Sequence, residues 1–199
     1  MTFATTLRLS LCGAAISAAL GLTACSNNAT DPAVNADDSA NNDKPAKTLA
    51  ITQIVEHPSL DEMRRGIIDE LADNGYAEGQ NLTVNFQSAQ GNTATAGQIA
   101  KQFAGDNPDA IVAISTPSAQ SVVASTKTVP VIYTAISDPV AAKLIDENDV
   151  PIQTNVTGLS SELPIEPQLD NIQKIVPNVK TIGYVYSPGE ANSVVVLKQ

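Results

Sequence analysis

The stretch DAIVAISTPSAQ, residues 109–120, decides how this chain is read. Residues 109–114 form a near-continuous apolar run, the pattern of a parallel strand covered on both faces. The run meets Ser115-Thr116-Pro117, and residues 117–126 read as a short helix. Proline suits the first helical turn, because its φ is already set and its missing N–H would have had no partner. A polar residue just before it can cap the helix. The same junction recurs at Glu56-His57-Pro58, Ser137-Asp138-Pro139 and Tyr186-Ser187-Pro188. In an open parallel sheet all such junctions lie at the carboxyl ends of the strands. Ligands bind there, against unpaired N–H groups and the positive ends of helix dipoles. The chain is therefore expected to gather several helix N-termini around one small polar ligand.

Outward from this stretch, strand and helix alternate. Apolar spacing predicts strands over 49–55, 81–87, 109–114, 129–136, 155–159 and 181–186. It predicts helices over 58–74, 93–105, 117–126, 139–145 and 164–176, and a further helix opening at Pro188. Gly75 is expected to stop the first helix. Ile99 and Phe103 are expected inward on the second, and Leu169, Ile172, Ile175 and Val176 on the helix over 164–176. Regular alternation implies an α/β fold, a doubly wound parallel sheet with right-handed crossovers.

The amino-terminal residues read as an export signal. Arg8 is its sparse positive charge, and residues 9–22 are small or apolar. Leu22-Thr23-Ala24-Cys25 matches a bacterial lipobox, which predicts cleavage after residue 24 and lipidation of Cys25. Several acyl chains, at about 0.8 kcal/mol per buried CH₂, hold a protein stably at a bilayer. Cys12 is lost with the signal, so the mature chain has no pair of thiols for a disulfide. Residues 26–48 are Asn, Asp, Ala, Ser and Pro with almost no large apolar side chains, and are expected to be a disordered tether reaching on the order of 25 Å. The folded part is then about 49–199, enough for one ordinary domain.

The whole chain has a net charge of -10; removing the signal loses one base and gives -11. An acidic exported chain with no basic stripe, 4% aromatic residues and no tryptophan is a poor nucleic-acid binder. There is no Gly-x-Gly-x-x-Gly, Walker loop, Cys-x-x-Cys or Gly-x-Ser-x-Gly elbow. His57 is the only histidine, so neither a metal site nor a catalytic triad is supported. No cofactor and no catalytic residue is expected.

The segments TQIVEHPSLDEMRRGIIDEL, NGYAEGQN, AISTPSAQ, PVIYTAISDPV, NVTGLS and YSPGEANS, taken in order, resemble the substrate-binding proteins of ABC importers, in particular the tryptophan/tyrosine-type lipoproteins. The resemblance implies a periplasmic-binding-protein-like fold of two α/β lobes joined by a hinge, with the ligand clamped between them. It implies a signal over 1–24, lipidated Cys25 and tether over 25–48, a first lobe over 49–153, a hinge or crossover over 154–163, and the start of a second lobe over 164–199. Relative to that family the chain stops early in the second lobe. The implied partners are a small-molecule ligand, an aromatic amino acid by resemblance, an ABC permease with its ATPase subunits, and a membrane reached through the lipid anchor. Localisation would be the cell envelope, with the outer membrane favoured in a Gram-negative host because Ser26 follows the lipidated position. The alternatives are a truncated remnant that binds nothing and a small periplasmic enzyme.

Candidate ligand contacts lie at the strand ends, and each has a plainer structural role beside it. Gln53 would reach the cleft or fill a sheet face. Glu56 and His57 would touch ligand or simply sit at the surface. Thr116 would cap the Pro117 helix, while the N–H groups around Ser118 and Ala119 could hold a carboxylate. Thr134 and Ser137 offer hydroxyls. Asp138 would cap the next helix or pair with an ammonium. Ser187 and Glu190 have capping-box spacing, and the resemblance implies that Glu190, Asn192 and Ser193 meet the ligand from the second lobe. Tyr186 would stack on an aromatic ligand or lie in the sheet.

Overall fold

The computed structural model describes residues 44–198. The expected signal, Cys25 and most of the tether lie outside the described residues. Strand β1 (Lys47–Gln53) is flanked by β2 (Leu82–Ser88) and β3 (Ala110–Ile114), followed by β4 (Val131–Ile136) and β5 (Val156–Ser160). The sheet has five strands in the order β2-β1-β3-β4-β5, and every pair is parallel. The order reverses between β1 and β3, which makes their carboxyl ends the topological switch point.

Period-two alternation sorts the strand residues onto two faces. Leu49, Ile51, Val112 and Ile114 point to one side, where α1 (Pro58–Asp73) brings Leu60, Ile67, Ile68 and Leu71. Ala50, Ile111, Ala113, Val131 and Tyr133 belong to the other, with Ile99 and Phe103 of α2 (Thr93–Asp106) and Val122 and Val123 of α3 (Thr116–Ser125). Phe103 is fully buried, as its spacing required. His57 caps α1, its Nδ1 accepting from the Ser59 amide at 3.3 Å, with Pro58 in the first turn. Asn74 ends that helix, and Gly75 follows at φ 78°.

The first strand begins two residues earlier than its spacing suggested. Lys47 Nζ meets Asp109 Oδ1 at 2.7 Å, and the Thr48 amide and hydroxyl donate to Asp109 Oδ2 at 2.8 and 3.1 Å. These bonds tie the amino ends of β1 and β3 together. Lys44 also reaches back, its Nζ donating to the Asn74 carbonyl and lying 4.7 Å from the Tyr76 ring centre.

Three expectations are corrected. Residues 139–145 are a set of turns and not a helix. The Ala142 amide bonds Asp138 O, but Lys143 then takes φ 59°, a left-handed step that ends the coil and drives Ala142 and Leu144 into the core. Residues 181–186 form no strand. Among the described residues they find no ladder partner, and Val185 is 97% exposed; an extended segment becomes a strand only by hydrogen-bonding a neighbour. Helix α4 (Ile165–Ile175) exists, yet Leu169, Ile175 and Val176 are exposed and none of its residues is buried. Its amphipathic pattern was read correctly, but no layer of the described residues covers its apolar stripe. A last helix, α5 (Ala191–Lys198), follows.

Candidate functional site

Strand register sets the site. Gln53 of β1 stands opposite Ser88 of β2 and Ile114 of β3, and Ile114 stands opposite Thr134 of β4. The residues just past these positions therefore emerge along one edge of the sheet. Glu56 and His57 follow β1, Ser115 to Ser118 follow β3, and Ser137 and Asp138 follow β4. All lie at the carboxyl edge, as the repeated junction predicted.

The switch point holds polar atoms in an apolar setting. Gln53 is 0% exposed. Its Nε2 donates to Val55 O at 3.1 Å and to Asp61 Oδ1 at 2.8 Å. Asp61 in turn meets Arg64, whose guanidinium lies 4.2 Å over the Phe86 ring. Gln53 Oε1 has no hydrogen-bond partner among the described residues, and the same holds for Thr52 Oγ1, Ser115 Oγ and Ser118 Oγ. Buried polar atoms are nearly always paired, so these orphans, two at the end of β1, one at the β3–α3 junction and one in the first turn of α3, are open to an outside partner.

Ser115 adds backbone strain. It takes φ 84° and ψ 156°, a region open essentially to glycine alone. Its amide bonds Thr134 O at 2.9 Å. Ser115 was not among the expected contacts; the signal that could have found it is its place immediately before Thr116-Pro117, where the strand must bend sharply into α3.

Several expected roles change. Thr116 is not the cap of α3. It is the first helical residue, buried, and the cap position falls to Ser115 without a side-chain bond. Ala119 N–H is already used, donating to Ser115 O at 3.0 Å; a first-turn amide such as Ser118 N–H, which has no helical carbonyl four residues back, is the kind free to meet an anion. Asp138 does cap, its Oδ1 accepting from the Ala141 amide at 2.8 Å, over turns in place of a helix. Glu56 is exposed and accepts from Gln90 at 2.8 Å. Thr134 lines an apolar groove of about 580 Å³ on the α1 face, with Leu49, Ile132 and Leu159, away from Asp138. Ser187 and Glu190 do not make a capping box, because α5 starts at Ala191. Instead Ser193 Oγ accepts from the Ser187 amide at 2.8 Å. Tyr186 is not in the sheet and stacks on Tyr184, centroids 6.3 Å apart. Asn192 Oδ1 has no partner among the described residues.

A cleft of about 470 Å³ opens beside the end of β4, lined by Tyr133, Ser137, Asp138, Gly158 and Glu162 among others. Tyr186, Glu190, Asn192 and Ser193 do not line it. The strand ends thus carry the contacts expected after β1 and β3, and Ser137 and Asp138 after β4, to the carboxyl edge, while Thr134 lines the groove on the α1 face and the residues near 186–193 lie apart from the cleft.

The model of the family described as ABC transporter substrate binding protein matches residues 48–199. The chain belongs to that family. This substrate-binding protein is 42% identical over 172 residues to the tyrosine-binding protein of Clostridioides difficile, covering 86% of this chain and 49% of that one. Among solved structures it resembles a conserved domain protein from Vibrio cholerae, with TM-score 0.73 and 52% identity over 78% of this chain and 52% of that one. It also resembles an ABC domain in complex with L-Trp from Streptococcus pneumoniae, with TM-score 0.72 and 38% identity over 77% and 51%. These likenesses bear out the doubly wound, periplasmic-binding-protein-like fold. The chain spans about half the length of the curated relative it matches.

Proposed function

We propose that this chain is the first lobe, with the opening elements of a second, of an exported, lipid-anchored protein that captures an aromatic amino acid and hands it unchanged to a membrane permease driven by ATPase subunits. The observation that carries this reading is the set of unpartnered polar atoms at the β1/β3 switch point, Gln53 Oε1, Ser115 Oγ and Ser118 Oγ. A carboxylate suits the first turn of α3, where hydroxyls and amides donate toward the positive end of the helix dipole. An ammonium suits the Gln53 carbonyl oxygen or the carboxylate of Asp138 or Glu190. The names of two similar proteins, one tyrosine-binding and one in complex with L-Trp, support an aromatic side chain. Enclosed hydrogen bonds would give selectivity, since an analogue lacking a group leaves buried partners unpaired. Residues 156–160 are laddered to β4 and the Ser161 amide bonds Ile136 O at 2.7 Å, so a hinge within the expected crossover would fall at residues 162–163.

Calorimetry tests the ligand. Tyrosine, tryptophan and phenylalanine are titrated into this chain and into a chimera carrying the remaining half of the tyrosine-binding relative. Saturable, stoichiometric heat with at least one of them, recovered unchanged, is the expected result; no heat from the chimera with any of the three rejects the aromatic assignment. Labelled palmitate should enter the wild-type chain in a bacterial host and not Cys25→Ser; equal labelling removes the anchor.

A further inference from the structure

Gln53 ends β1 as a buried amide whose two ends meet different surroundings. Its nitrogen faces acceptors: Nε2 donates to Val55 O at 3.1 Å and to Asp61 Oδ1 at 2.8 Å. An ionised carboxylate and a backbone carbonyl have no proton to give. Turning the amide over would set its oxygen against both of them, so one orientation is allowed. Oε1 is then the end left over, buried and without a partner among the described residues. Asp61 stands in the first turn of α1 and is itself held there. Arg64 Nη2 donates to its Oδ1 at 3.5 Å, and the same guanidinium lies 4.2 Å over the Phe86 ring of β2. A chain of contacts therefore runs from β2 through α1 to the end of β1.

We propose that Asp61 is a positioning residue that sets the selectivity of the ligand site: it fixes and polarises the Gln53 amide so that Oε1 is offered as an acceptor. The site then takes a ligand with a hydrogen-bond donor at this place and turns away one without it. This role rests on the amino-acid reading above and adds to it a residue that acts on the ligand only through Gln53. Two effects give the carboxylate its hold. A bond to a charged acceptor is about twice as strong as one between neutral groups, so Asp61 outweighs Val55 O in orienting the amide. An amide that donates to a carboxylate also becomes a stronger acceptor at its other end, because linked hydrogen bonds polarise one another. A ligand lacking the donor would leave Oε1 buried and unpaired, and such a site rejects it strongly.

The test compares wild-type, Asp61→Leu and Asp61→Asn forms of this chain and of the chimera described above. Each is titrated by calorimetry with L-tryptophan against indole-3-propanoate, and with L-tyrosine against 3-(4-hydroxyphenyl)propanoate, pairs that differ only in the α-ammonium. The wild type should favour the amino acid. Asp61→Leu should shrink that ratio about tenfold, and Asp61→Asn, which keeps an acceptor, should restore much of it. A residue that merely braced α1 would weaken both members of a pair alike and leave the ratio as it was. In the ligand-free, isotope-labelled chain, one Gln53 side-chain amide proton should move upfield in Asp61→Leu, having lost its acceptor, and stay near its place in Asp61→Asn. An unchanged ratio or an unmoved amide proton in Asp61→Leu overturns this proposal alone, since the amino acid still binds. Binding of neither amino acid to the chain or the chimera rejects it together with the reading it rests on.

Discussion

At the end of β3 a serine holds a backbone shape that glycine takes without strain. Ser115 sits at φ 84° with its hydroxyl buried and unpartnered among the described residues. Such conformations persist only where the surroundings impose them, and they gather at binding sites. Ser115→Gly should therefore raise stability by about 1 kcal/mol, the ~1–3 kcal/mol of strain relieved less the ~0.5–1 kcal/mol of added chain entropy, while weakening any ligand that uses the hydroxyl. Urea midpoints check the first part; an unchanged or lower midpoint shows that the backbone is at ease. Asp109 is a second telling residue. The Lys47 ammonium and the Thr48 amide lower its pKa from 3.8 to about 2. A depressed folded-state pKa contributes stability that is present above the ordinary value and disappears as pH falls through the lowered one. The wild-type chain should thus lose stability between about pH 4 and pH 2 more steeply than Asp109→Asn. Denaturant midpoints at the two ends of that window measure the difference, and parallel slopes would exclude the ion pair as a contributor.

Among the elements, α2 anchors the better-covered face. Phe103→Ala should cost about 3–5 kcal/mol, because a fully buried ring leaves a cavity that packed neighbours cannot fill. Thermal unfolding followed by circular dichroism reads it, and a loss under 1 kcal/mol would mean the core collapses around the gap. The β4–β5 pair depends on a close approach. A methyl at Gly158 would lie 2.3 Å from Tyr133 O, so Gly158→Ala should destabilise by about 1–3 kcal/mol. A neutral result in the same melt would show that β5 shifts freely. The elements most legible in the sequence, α1, α2 and the first four strands, carry their signal locally, in apolar period, a proline in the first turn, or Gly75 at the helix end. The turns at 139–145 looked helical for the same local reasons. They are not, because Leu144 gains more by entering the core than the chain gains by one more helical turn.

For the whole molecule, the uneven cover of the sheet matters most. The groove on the α1 face and the stripe of α4 leave Leu159 70% exposed and Leu169 and Ile175 in solvent. Exposed apolar surface of this kind binds hydrophobic dyes and promotes association. The purified chain should enhance the fluorescence of anilinonaphthalene sulfonate, and Leu159→Lys should reduce the enhancement; a chain that leaves the dye dark would show the groove to be closed in solution. The sequence by itself determined the order of the elements, the parallel doubly wound class and the edge at which polar junctions gather. Each of these follows from periodicity and capping chemistry within a few residues of one another. Only the tertiary structure decided that Ser115 and not Thr116 takes the strained cap, that Ala119 N–H is already used, that residues 181–186 join no strand among the described residues, and that Tyr133 and Gly158 line an acidic cleft. Those outcomes depend on which strand becomes whose neighbour and in what register, and pairing across the sheet joins residues too far apart in the chain to signal one another.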